Sequence, residues 1–129
     1  MEAIDLRGFD ILLLEDEPLI MLDTKCVLEA VGARVHCARQ LSEAMLLLEG
    51  VQMSAAVLDY ILADGTADEL CEELKRRHIP FSIYSGFEGI DDMCSGGAVI
   101  SKPVSATELT GVVWSLCLGD GNSSSTCRQ

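Results

Sequence analysis

A chain of 129 residues is the size of one domain, and with 49% hydrophobic residues it can bury a core and is no disordered tail. Its 21 acidic and 9 basic residues leave a formal charge of -12, which repels nucleic-acid phosphates and anionic lipid and argues against direct binding to DNA, RNA or a membrane surface. The same charge suits attraction of a divalent cation, or docking on a basic patch of a protein partner.

In chain order, the start MEAIDLRGFD is acidic and has no apolar signal core, and no apolar run approaches the roughly 20 residues of a membrane span, so a cytoplasmic location is expected. FDILLLE (Phe9 to Glu15) is a continuous apolar run ending in acids, as expected of a central parallel strand covered on both faces. Pro18 opens a helix with Leu19, Leu22, Val27, Leu28 and Val31 as its apolar positions, and Gly32 ends it. Arg34 to Cys37 reads as a second strand, and Ser42 as the cap of a helix that packs through Met45, Leu46 and Leu48. Ala55 to Asp59 is a third strand, again apolar and again ending in an acid.

The next stretch turns at Asp64-Gly65 and forms a helix with acids early and Lys75, Arg76 and Arg77 late, a polarity that suits the helix dipole. After Pro80, Phe81 to Tyr84 is a fourth strand, followed by a short weak helix around Ile90 to Met93. Ala98 to Ile100 is the fifth strand, Lys102-Pro103 a turn, and Ala106 to Leu118 the last helix. Residues 9–118 therefore form the domain, with residues 1–8 as a short N-terminal extension and 119–129 as a flexible polar tail. Six cysteines (Cys26, Cys37, Cys71, Cys94, Cys117 and Cys127) are scattered with no CxxC pair, and His36 and His78 stand apart from any cysteine pair. Reduced thiols are expected, rather than a disulfide scaffold or a zinc site.

Alternating strands and helices imply an α/β fold: a doubly wound, five-stranded parallel sheet in a flavodoxin-like three-layer sandwich. The strand order 2-1-3-4-5 is one of two common solutions and sets strands 1 and 3 side by side at the switch point. Glu15, Asp16 and Asp59 then emerge together at the C-terminal edge of the sheet. Converging carboxylates repel unless a cation neutralises them, and oxygen-only ligation points to Mg²⁺ or Mn²⁺. Acids at positions 15 to 17 could equally cap the following helix. Ser85 and Lys102 close strands four and five at the same edge, where a hydroxyl and an ammonium serve a phosphoryl oxygen well.

Four stretches in order, LLLEDEPLI, VLDYILADG, IYSG and SKP, together resemble the receiver domain of two-component response regulators, over roughly Phe9 to Leu118. The resemblance implies that Asp59 is the phospho-accepting nucleophile. Glu15 and Asp16 would bind Mg²⁺ with Asp59 and the backbone carbonyl of Ile61, while Ser85 and Lys102 would hold the phosphoryl group. It also implies a histidine kinase or histidine phosphotransfer protein as donor and a downstream protein target, with the domain catalysing its own phosphorylation and dephosphorylation. PFSIYSGFEG is similar to the P-F-x-F-A-T-G-Y-G stretch of a single-domain subgroup linked to alphaproteobacterial signalling.

Two positions depart from the receiver pattern: Val99 stands where many receivers carry an aromatic switch residue, and Glu15 replaces the commoner Asp. No output domain follows, which suggests work through a partner, as a phosphate shuttle or as a sink. The rival readings are a receiver-like module that docks without phosphorylation, a small phosphohydrolase and a flavodoxin-like carrier. Ile61 fills the place where a phosphohydrolase wants a second Asp, and the acidic EDEP would repel a flavin phosphate. The glycines from Gly86 to Gly97 leave homodimer formation open.

Overall fold

The apolar residues of the strands divide between two layers, and that division sets the architecture. The computed structural model describes residues 3–59, 61–62, 65–85, 98–101 and 105–119. In chain order they form β1 (Asp10–Leu14), α1 (Pro18–Ala30), β2 (Arg34–Ala38), α2 (Leu41–Gly50), β3 (Ala55–Asp59), β4 (Ile61–Leu62), β5 (Gly65–Thr66), α3 (Asp68–Arg76), β6 (Phe81–Ser85), β7 (Ala98–Ser101) and α4 (Ala106–Leu118). The long strands pair in parallel in the order β2-β1-β3-β6-β7. The order expected for the first four, 2-1-3-4, is present as β2-β1-β3-β6. β4 and β5 pair antiparallel with each other as a separate small ladder.

Successive strand residues face opposite sides of a sheet. Leu12, Leu14, Ala56, Leu58, Phe81 and Ile83 join residues of α2 and α3 in one buried cluster. Ile11, Leu13, Ala55 and Val57 join residues of α1 and α4 in the other. Helices thus cover both faces, which is why β1 and β3 are apolar at nearly every position. Leu6, ahead of β1, is fully buried in the second cluster, and its N–H donates to the Val31 carbonyl at 2.7 Å.

Three local expectations need correction. Leu19 and Leu22 do not pack: they are 76% and 55% exposed, and Thr24 and Leu28 are the buried residues of α1. The inward face of α1 follows Ile20, Met21, Thr24, Val27, Leu28 and Val31, so a threonine occupies a place that apolar counting assigned to leucine. Ser42 does not cap α2. Gln40 holds the cap position without a side-chain bond, and Glu43 reaches back to accept the Arg39 N–H at 2.7 Å. Leu46 of the same helix is 72% exposed while Ala44 and Leu48 are buried.

The third correction concerns the thiols. Cys26, Cys37 and Cys117 are free, but Cys71, buried on α3, is disulfide-bonded. Spacing along the chain says nothing of a bridge made by tertiary proximity. The helix expected around Ile90 to Met93, the Lys102-Pro103 turn and the tail beyond Gly119 lie outside the described residues. Among the described residues, no helix is long and apolar enough to cross a membrane.

Candidate functional site

Because the main sheet is parallel, the C-terminal ends of its strands share one edge. Leu14 closes β1 beside Ala38 of β2 and Leu58 of β3. Glu15 and Asp59 each come one residue later, which makes them neighbours across the sheet. The Glu15 N–H donates to the Ala38 carbonyl at 3.0 Å, so the β1–β2 ladder extends as far as the first acid.

Three carboxylates meet there. Glu15, Asp16 and Asp59 each offer an oxygen, and these oxygens lie within 4.8 Å of one another. Glu15 is fully buried, Asp59 is buried and Asp16 is half-buried. Three hard, anionic oxygen donors within reach of one point fit a divalent cation such as Mg²⁺ or Mn²⁺, and the donor set holds no thiolate or imidazole to favour zinc. Oε2 of Glu15 accepts the Glu17 N–H at 3.0 Å, which orients that carboxylate.

The acids after β1 turn out to divide their roles. Glu17 is the cap of α1, its Oε1 accepting the Leu19 N–H at 3.4 Å, whereas Glu15 and Asp16 join Asp59. The helix-cap reading of this triple therefore holds for Glu17, the N-cap residue.

Beyond Asp59 the chain enters the β4–β5 ladder, in which Ile61 pairs with Thr66 and Leu62 with Gly65. The hydroxyl of Thr66 donates to Oδ2 of Asp68, the first residue of α3, at 3.0 Å. In sequence this stretch reads as a plain turn, because two-residue strands carry too little alternation to be read. A β-branched Thr66 after Gly65 was the available signal.

Ser85 is the last residue of β6, one position past Tyr84, which pairs with Asp59, and it pairs in turn with Ser101 at the end of β7. Val99 sits within β7 opposite Ile83. Lys102 lies outside the described residues.

Several acids elsewhere are paired with cations. At the opposite edge, Asp10 accepts two bonds from Arg34, at 2.8 and 2.9 Å, and a contact with Nε2 of His36 at 2.9 Å. Arg34 first, then His36, hold its carboxyl well below the usual carboxylate range. On α3, hydrogen bonds from Arg76 and Arg77 draw Glu73 down to about 2, and Arg77 also reaches the Leu48 carbonyl and Glu49 on α2. These acids tie elements together.

No protein-family model and no curated protein matches the chain. Solved structures do match. A CheY-like response regulator receiver domain from Methanospirillum hungatei is similar with a TM-score of 0.80 and 25% identity, over 87% of this chain and 95% of that one. A CheY-like receiver domain from Methylobacillus flagellatus gives 0.75 and 19%, over 84% and 98%. The response regulator PhyR from Brucella abortus gives 0.76 and 23%, over 95% of this chain and 53% of that one. The similarity is thus spread over varied organisms and is not confined to the alphaproteobacterial subgroup.

Proposed function

On the premise that this chain has the CheY-like receiver fold, with an acidic edge consistent with phosphorelay signalling, we propose that Asp59 accepts a phosphoryl group in a reaction dependent on Mg²⁺ or Mn²⁺. The observation that carries the reading is the meeting of Asp59 with Glu15 and Asp16 at the switch point between β1 and β3. Glu15, Asp16, Asp59 and the carbonyl of Ile61 would hold the cation. When bound, it would neutralise charge on the acceptor carboxylate and on the phosphoryl oxygens.

Within this reading each residue has one task. A carboxylate oxygen of Asp59 attacks phosphorus in line, the bond from phosphorus to the donor imidazole nitrogen breaks, and that nitrogen keeps the electron pair. Ser85 donates a hydrogen bond to a phosphoryl oxygen, and Lys102 neutralises another. The Glu17 N–H keeps Glu15 oriented, so little reorganisation is needed at the moment of transfer. Water later attacks the acyl phosphate and returns Asp59 to its carboxylate. The donor is a histidine kinase or histidine phosphotransfer protein in the cytoplasm, and a protein target reads the phosphorylated form.

An acyl phosphate has a chemical signature that other phosphoproteins lack. Treatment with a small acyl-phosphate donor and Mg²⁺, then hydroxylamine, should convert Asp59 to a hydroxamate that peptide mapping locates. Hydroxamate at another residue would move the acceptor. None at all, in folded protein supplied with both acyl-phosphate and phosphohistidine donors, would favour a module that docks without phosphorylation.

A further inference from the structure

The chemistry above uses the ladder that follows Asp59 only through the carbonyl of Ile61. We propose that Thr66, held by Asp68, is a positioning residue for the cation site, acting through its strand pairing with Ile61. The inference rests on the phosphoacceptor reading, because it takes the Ile61 carbonyl as a ligand.

A carbonyl can serve a cation only as well as its main chain is held. A ladder of two residues per strand is marginal alone and needs an anchor outside itself. Here the anchor is α3. Its residues Leu70, Cys71 and Leu74 are fully buried against the sheet, and Ala67, which joins the ladder to the helix, is fully buried as well.

Among the described residues, the side-chain bond from Thr66 Oγ1 to Asp68 Oδ2 at 3.0 Å connects that rigid body to the ladder. α1 and α4 each have a side-chain cap from Glu17 and Ser105, but the cap residue of α3 is Ala67, which has none to give. The Thr66–Asp68 bond thus fixes the strand residue directly opposite Ile61, two positions beyond Asp59. A purely structural role for the pair predicts lower stability. A positioning role predicts weaker cation binding as well, in protein that is still folded.

The test titrates Mn²⁺ into the purified protein and reads free Mn²⁺ by electron paramagnetic resonance, with no phosphodonor present. Thr66→Val keeps the β-branched shape and removes the donor. It should weaken Mn²⁺ binding about three- to tenfold, the range of one lost hydrogen bond, with a urea transition that shows the variant folded under the titration conditions and rescue by Thr66→Ser. Asp68→Ala should weaken binding at least as much, because it also removes a negative charge, and the double variant should lose no more than Asp68→Ala alone. In phosphorylation assays the Mg²⁺ concentration for half-maximal rate should rise while the rate at saturating Mg²⁺ holds.

Asp16→Asn serves as the control and should lose Mn²⁺ binding outright. Parental affinity in Thr66→Val beside loss in Asp16→Asn would overturn the positioning role and leave the site reading standing. Parental affinity in both would overturn the two together. If Thr66→Val does not fold, Thr66→Ser, which keeps the donor, should bind like the parent, and weakening there overturns the proposal.

Discussion

Replacing Asp16 by asparagine should make the protein more stable without a divalent cation and less stable with one. At 4.8 Å, the widest separation of the site's ligand oxygens, a pair of like unit charges costs about 0.9 kcal/mol in water-like surroundings and about 3.5 kcal/mol at an effective dielectric of about 20. Asp16 is the half-buried member, so solvent screens its share and can also solvate the new amide. A gain of about 1–2 kcal/mol in chelator is therefore expected for Asp16→Asn. For the parent, Mg²⁺ at a hundred times its dissociation constant should add about 2.7 kcal/mol by mass action, and the variant should lose most of that increment. Urea denaturation of both proteins, in chelator and in saturating Mg²⁺, reads the two effects together. The order of stability should invert between the two conditions. A variant less stable than the parent in chelator, or an equal Mg²⁺ increment in both, would refute the reasoning.

Other expectations concern the scaffold. Gly32→Ala should cost about 2–4 kcal/mol in chemical denaturation, from a positive φ and an overpacked contact together. Its φ is +104°, and a Cβ there would lie 2.6 Å from Cγ and 2.9 Å from the backbone nitrogen of Arg7, whereas Gly50→Ala meets nothing within 4 Å and should be near neutral. Asp10, with its folded pKa depressed by Arg34 and His36, supplies stability that is present above its unfolded pKa of about 4 and is lost as pH falls toward the folded value. Asp10→Asn should therefore flatten the stability profile below about pH 4; an unaltered acid slope would show that the ion pair contributes nothing there. Alkylation at neutral pH should label exposed Cys26 faster than Cys117, whose thiol burial pushes up to about 11. Cys71 should label only after reduction and unfolding, and rapid labelling of native, unreduced protein would contradict the bridge.

The long strands and their acidic ends were legible because parallel strands covered on both faces have one clear signature, an unbroken apolar run. DILLL and AAVLD carry it, and their shared direction brings Glu15, Asp16 and Asp59 together without any further information. Surface helices were read less well. In α1, leucines at 19 and 22 outweighed Thr24 by composition, yet the helical period turns the threonine inward. The cap of α1 was legible as one of two readings of the acids after β1, and Glu17 holds it, its Oε1 accepting the Leu19 N–H at 3.4 Å. Caps were not legible where a neighbour reaches back, as Glu43 does to Arg39. The β4–β5 ladder and the Cys71 bridge depend on contacts that no local pattern encodes.

Intact-mass measurement after incubation with a small-molecule phosphodonor and Mg²⁺, alongside Asp59→Asn, tests the central claim most directly. The parent should gain about 80 Da, one phosphoryl group on one nucleophilic carboxylate, and the variant should gain nothing. Equal gain in both proteins would place the acceptor elsewhere, and no gain in the folded, Mg²⁺-loaded parent would contradict phosphoacceptor chemistry at Asp59.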